Sequence, residues 1–205
     1  NINVLATAQK EIISFYPEPG WVEQNGDEIY ASVISVIFEA LTKADLKMSE
    51  ISAIGITNQR ETTLIWDKIW QSRQTEELCE AMRNRHVDEM IKTKTGLIID
   101  PYFSASKIRW ILDKIESGQK RAENGELMFG TVDTWLAYRL SGKAIHVTDV
   151  SNASRTQLMN INTLKWDEEL LALWNIPLAI MPCIKSTAEI YGYTDQSILN
   201  ASVPL

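Results

Sequence analysis

Four consecutive polar residues, Asn58, Gln59, Arg60 and Glu61, stand between two apolar runs at residues 53–56 and 63–66. The first run has the character of a fully buried strand, and the turns that close such strands usually carry Gly, Pro or Asp. None of these occurs among the four. A guanidinium beside a carboxylate suits a small neutral polyol, whose every hydroxyl is both donor and acceptor. Arg60 can fork two donors onto hydroxyl oxygens, and Glu61 can accept from two hydroxyls. The same residues could instead form a structural ion pair with each other, the commoner use of such a cluster.

Other chemistries find little support. His86 and His146 are isolated and give no metal-ligand spacing. The sequence has neither a Gly-x-Ser-x-Gly elbow nor a Gly-rich phosphate loop. Cys79 and Cys183 lie far apart and read as reduced thiols of a cytoplasmic protein. The sequons at Asn152 and Asn200 carry no meaning without secretion, and the first residues do not resemble a secretory signal.

The elements that must position the polar cluster follow from periodicity. Of the 205 residues 45% are hydrophobic, enough for a sizeable core. The net charge of -7, with Lys and Arg scattered, argues against nucleic acid and against an anionic membrane surface. The most apolar stretch, residues 29–44, contains Glu39 and is too short to span a bilayer. Residues 1–17 read as one or two strands before the turn-rich "YPEPGW". An amphipathic helix should follow, with Asp27 and Glu28 in its first turn and Tyr30, Val33, Ile34, Ile37 and Leu41 on one face. Strand, helix and the strand at 53–57 then predict an α/β sheet with parallel neighbours, and Asn58 to Glu61 fall at a strand's carboxyl end, where such sheets bind ligands.

Further helices are expected after Thr75, up to Gly96, from Ser104 through Ile115, from Asp133 to Gly142, and over 167–174, with Thr75, Ser104 and Asp133 as caps. Tyr102 lies just ahead of the helix at Ser104. Residues 144–149 and 156–161 read as strands. At Lys68-Ile69 two strand-like runs meet with no Gly or Asn to make a tight turn, and residues are expected to be missing there, as also before Asn1.

The segments "AQKEIISFYPEPGWVEQN", "AIGITNQRETTLIWDK", "IWQSRQT", "KTGLIIDPYFSASKIRWILD", "FGTVDTWL" and "HVTDVSNASRTQLMNI" together resemble the glycerol kinases of the FGGY carbohydrate kinase family. The likeness runs in order over residues 4–194. The stretch from Tyr102 through Ser104, Lys107 and Trp110 to Asp113 is similar to a family signature and departs from it at Lys114. The resemblance implies an actin/hexokinase-like, ribonuclease H-like α/β fold: the N-terminal domain of a two-domain kinase. It implies transfer of the ATP γ-phosphoryl group to a terminal hydroxyl of glycerol, with Mg2+. It also implies that Arg60, Glu61 and Tyr102 hydrogen-bond the glycerol hydroxyls and that Trp70 packs on its carbons, whereas core packing is the ordinary use of a lone aromatic. Asn152, Asp149 and Arg155 read as structural.

The family's Asp-Gln-Gly-Thr-Thr phosphate turn and its Gly-Asp-Gln-Gln segment with the catalytic Asp are absent from these 205 residues. The chain therefore reads as an incomplete N-terminal domain over 1–205, with the C-terminal nucleotide-binding domain outside it and about half of the acceptor site inside. Two other readings stay open: a kinase for another polyol or sugar, and a non-catalytic kinase-like module that binds polyol or a partner. The sequence leaves homo-oligomerisation undecided.

Overall fold

Helix α1 (Gly26–Ala44) starts where Asn25 turns its side-chain oxygen onto the amides of Asp27 and Glu28, at 2.9 and 3.3 Å, and it ends at Asp45 in the left-handed conformation. The computed structural model describes residues 3–17, 22–66 and 75–205. Strand β1 (Leu64–Trp66) follows the polar cluster. Helices α2 (Glu76–Arg83), α3 (Asp88–Thr95), α4 (Ser104–Lys114) and α5 (Gly118–Glu123) lead to strand β2 (Met128–Gly130). Helix α6 (Val132–Leu140), strand β3 (Val147–Asp149) and the short helix α7 (Val150–Ala153) come next. Strands β4 (Met159–Asn160) and β5 (Lys165–Trp166), helix α8 (Glu168–Leu173), strand β6 (Cys183–Lys185) and helix α9 (Gln196–Leu199) complete the order.

The strands pair two by two: β1 with β2 antiparallel, β3 with β6 parallel, β4 with β5 antiparallel. The two faces of β1 feed two separate cores, as the twofold alternation of a strand dictates. Ile65 joins Ile108, Ile111, Leu112, Phe129 and Trp174. Leu64 and Trp66 join Ile29, Trp135, Leu136 and Leu199 on the other side. The expected apolar face of α1, Tyr30 through Leu41, packs half-buried against this second core. Trp135 donates its indole N–H to the Gly26 carbonyl at 2.8 Å, tying α6 to the start of α1. Gly130 is required where it stands, because any Cβ there would come within 2.5 Å of Thr134 and 2.9 Å of Trp66.

Several expectations need correction. No strand forms at 53–57: Ala53, Gly55 and Thr57 are exposed, Ile54 and Ile56 half-buried, and the Ile54 N–H donates to the Pro204 carbonyl at 2.9 Å. An extended segment becomes a strand only against a continuous partner, and Pro204 has no N–H to return. Residues 3–15 likewise show only an isolated bridge between Phe15 and Glu23 among the described residues. Of the paired strands, only β3 and β6 run parallel. The helices expected after Thr75 and at Ser104 and Asp133 all form; Thr75 holds the cap position of α2 without a side-chain cap hydrogen bond, whereas Ser104 and Asp133 lie inside their helices. The Thr75 hydroxyl accepts from Ser106 at 2.8 Å, Ser104 is the first helical residue of α4, and Thr131 holds the cap position of α6. The junction at Lys68-Ile69 lies outside the described residues.

Asp167 shows how a single side chain secures several segments. It caps α8 by accepting from the Glu169 and Leu170 amides, both at 3.1 Å, takes Asn160 at 2.9 Å and meets Lys94 of α3 at 2.8 Å. Its side chain is only 10% exposed. Burial works against its carboxylate, yet the hydrogen bonds from Lys94, Asn160 and the Leu170 amide outweigh that and hold the carboxyl below its ordinary value. A lowered carboxyl stabilises the fold above its unfolded-state pKa, and the contribution disappears as pH falls through the lowered value. Asp167→Ala is expected to destabilise the protein by about 2–3 kcal/mol at neutral pH, the sum of a cap and a charged hydrogen bond. Denaturant titrations should show the deficit shrinking below about pH 4; a difference independent of pH would contradict this account.

Candidate functional site

The polar cluster forms a loop between the extended residues 51–57 and β1, turned by the hydrogen bond from the Thr62 N–H to the Gln59 carbonyl at 3.4 Å. Buried β1 fixes its far end. Asn58 reaches Asp133 on α6 at 3.4 Å, and Gln59 donates to Gln24 at 2.9 Å. Arg60 is exposed, with its guanidinium 3.4 Å from the Ser151 hydroxyl of α7. The ion pair that its neighbour makes is a different one from that expected. Glu61 pairs through Oε1 with Nε of Arg155 at 2.9 Å, and Arg60 makes no ion pair among the described residues. Adjacent side chains in a turn diverge, so a carboxylate more readily meets a cation from another segment. Arg155 itself lies over the Phe103 ring, 4.9 Å from its centroid.

Tyr102 approaches from the loop before α4, where its N–H donates to the Asp100 side chain at 2.8 Å in an Asx turn. Its side chain is 48% exposed and its ring meets Phe103 edge-on at 5.5 Å. Lys107, on the second turn of α4, donates to the Glu61 carbonyl at 2.8 Å and to the Tyr102 carbonyl at 2.6 Å. Glu61 and Tyr102 are thereby brought together on one ammonium, with Arg60 beside them in the chain. Trp70 lies outside the described residues. Sequence reasoning saw Lys107 only as one letter of the signature; its signal was a cation on a helix face otherwise occupied by Ser104, Ile108 and Ile111.

Next to this loop a cleft of about 340 Å³ opens between Ile54 and Ile56 on one side and Val147 and Asp149 on the other, with Asp133 at its edge. It lies at the carboxyl end of the parallel pair β3–β6. Burial pushes the Asp133 carboxyl up, against hydrogen bonds from Thr131 and Thr148, and the Asp149 charge adds to the rise. Burial also acts on Asp149, but Thr187 at 2.6 Å and the Asn152 amide at 2.7 Å, among other donors, bring its carboxyl below the ordinary range. Burial, with Asp149 and Asp133 next in weight, pushes the Tyr191 phenol up to about 12. Among the described residues no three His, Cys, Asp or Glu side chains gather to hold a metal ion, and no helix is long and apolar enough to cross a membrane.

Residues 1–203 match the model of the N-terminal domain of the FGGY family of carbohydrate kinases. The chain belongs to that family. It is 48% identical to a glycerol kinase of Petrotoga mobilis over 99% of its own length and 43% of that protein. It is 49% identical to a glycerol kinase of Borreliella afzelii over 100% of its length and 43% of the relative. Among solved structures, a Plasmodium falciparum glycerol kinase with ADP superposes with a TM-score of 0.89 at 32% identity, covering 96% of this chain and 42% of the other. A xylulose kinase of Lactobacillus acidophilus shares the fold at a TM-score of 0.82 and 22% identity, over 96% of this chain and 41% of that one. The FGGY chain thus has the actin/hexokinase-like α/β architecture expected of it, and it spans less than half the length of the relatives that it matches.

The Glu61–Arg155 pair yields a direct test. Glu61→Gln, Arg155→Met and the double variant should show a coupling of about 1 kcal/mol in denaturant unfolding, since both partners are partly buried. Additive effects would mean that the pair does not hold the loop.

Proposed function

We propose that the chain is the acceptor-binding part of a glycerol kinase, which transfers the ATP γ-phosphoryl group to a terminal hydroxyl of glycerol. The observation that supports this reading is that one ammonium group, that of Lys107, binds the backbone carbonyls of both Glu61 and Tyr102, with Arg60 next to Glu61 in the chain. A neutral polyol needs donors and acceptors together. Arg60 donates to hydroxyl oxygens, Glu61 accepts through Oε2 while Arg155 holds Oε1, and the half-exposed Tyr102 phenol adds a contact. Trp70 would complete the site by packing on the carbon chain. Relatives named glycerol kinase at 47–49% identity support glycerol ahead of the xylulose and gluconate acceptors named for more distant structures.

The described residues supply neither a phosphate cradle nor a metal cluster, so no step through ATP or Mg2+ is assigned to them. In this proposal the 205 residues are an incomplete N-terminal domain. The nucleotide-binding domain, the Mg2+ site and the catalytic base belong to the remainder of the kinase, which works in the cytoplasm. Phosphoryl transfer rests on positioned phosphate, metal and base, and this chain contributes the positioning of the acceptor.

Arg60→Ala in the full-length enzyme should raise the KM for glycerol at least tenfold and leave that for ATP within twofold, because each lost charge-assisted hydrogen bond costs roughly 1.5–3 kcal/mol. Steady-state kinetics with both substrates varied decides the matter. Equal losses for the two substrates would assign Arg60 to the fold instead, and a substrate panel in which xylulose or gluconate outperforms glycerol would replace the acceptor.

A further inference from the structure

We propose that Lys107 is a positioning residue for the acceptor site, setting the separation of the Glu61 and Tyr102 segments through their backbone carbonyls; this rests on the acceptor reading of those residues. Lys107 is only 6% exposed. Burying an ammonium is costly, and a packing role alone would be served by an aliphatic side chain of similar length. What the ammonium adds is direction. It donates to one carbonyl 46 residues before it and to another 5 residues before it, at 2.8 and 2.6 Å. It also lies 5.8 Å from the centroid of the Tyr102 ring.

The helix that carries Lys107 is itself fixed. Ser106 donates to Thr75 at 2.8 Å, the Ala105 N–H donates to the Thr156 carbonyl at 2.9 Å, and Ile108, Ile111 and Leu112 are buried in the first core. The lysine stem is therefore a spacer of set length from a rigid helix to two loops. Neither loop has a ladder of its own at this point: Glu61 lies in a turn ahead of β1, and Tyr102 in a turn ahead of α4. Arg155 holds the Glu61 side chain, and Lys107 holds the Glu61 backbone. Losing the second tie lets the carboxylate and the phenol drift apart without removing either from the site.

Lys107→Met in the full-length enzyme should raise the KM for glycerol tenfold or more with the KM for ATP within twofold. In a Tyr102→Phe background the same substitution should have a smaller effect, because the two act through one contact. Lys107→Gln, which keeps a donor but falls short of the carbonyls, should lie close to Lys107→Met. A variant that melts lower yet keeps glycerol KM within twofold overturns the proposal, as does failure of both Lys107 variants to fold, which would assign the lysine to stability. Arg60→Ala separates the two levels. If it leaves glycerol KM unchanged, the acceptor reading fails; if it raises glycerol KM while Lys107→Met does not, only the role of Lys107 fails.

Discussion

Strands of two or three residues impose the constraint on which the rest of this structure depends. So little ladder leaves long stretches of backbone whose polar groups must find partners elsewhere, since buried N–H and C=O groups are paired almost without exception. Cationic side chains take much of that load. Lys107 binds two carbonyls, Arg109 binds the Asn175 carbonyl at 2.6 Å, Arg83 the Ile99 carbonyl at 3.1 Å, and Arg85 the Leu173 carbonyl at 3.3 Å. Arg83, Lys107 and Arg109 join helices to loops, and Arg85 joins the turn after α2 to the end of α8. The candidate site uses the same device, with Lys107 tying the Glu61 and Tyr102 segments to α4.

Strand β1 explains why the loop before it can be precise while so little of it is in regular structure. Leu64, Ile65 and Trp66 are all buried, on alternating sides, and a shift of one residue would exchange the two cores. Trp66 is further fixed by Trp135, Tyr138 and His146, with ring centroids 5.2 to 5.5 Å away. Burial keeps the His146 imidazole below its ordinary value, although its contact with the Phe129 carbonyl acts in the opposite sense. That lowering disfavours a charged imidazole within the aromatic cluster around Trp66.

What was legible in the sequence was local. Helix α1 could be read from its acidic first turn and its fivefold apolar face, α3 from its stop at Gly96, and α8 from the apolar pattern over 167–174, because stop signals and periodicity act over a few residues. The identity of individual caps was less legible. Ser104 and Asp133 satisfy the composition rule, but each falls one or two residues inside its helix, where the preceding Phe103 and Thr131 take the cap conformation. The pairing of 53–57 and the partner of Glu61 depended on residues far along the chain. Nothing near Glu61 distinguishes Arg60 from Arg155 as its partner; the choice is made by the path of α7. The family resemblance singled out Tyr102, Arg60 and Glu61 because motifs record such long-range outcomes, which periodicity cannot.

The loop of residues 58–61 is anchored unevenly, and that unevenness bears on its chemistry. At one end Asn58 reaches Asp133, a carboxyl made reluctant to ionise by burial, and Gln59 is held by Gln24. At the other end Glu61 is held twice, by Arg155 through its side chain and by Lys107 through its backbone. Among the described residues Arg60 has a long contact, to Ser151, and no ion pair. Neighbours fixed on both sides confine its backbone, while its side chain is exposed. A cation placed in that way loses little on meeting a hydroxyl, because it gives up water and no ion pair. A carboxylate with one oxygen already neutralised can accept a hydroxyl proton on the other without bringing an uncompensated charge into the site. On the proposed acceptor reading, the division of labour between Arg155 and Arg60 lets adjacent residues of opposite charge face the same small neutral ligand rather than each other.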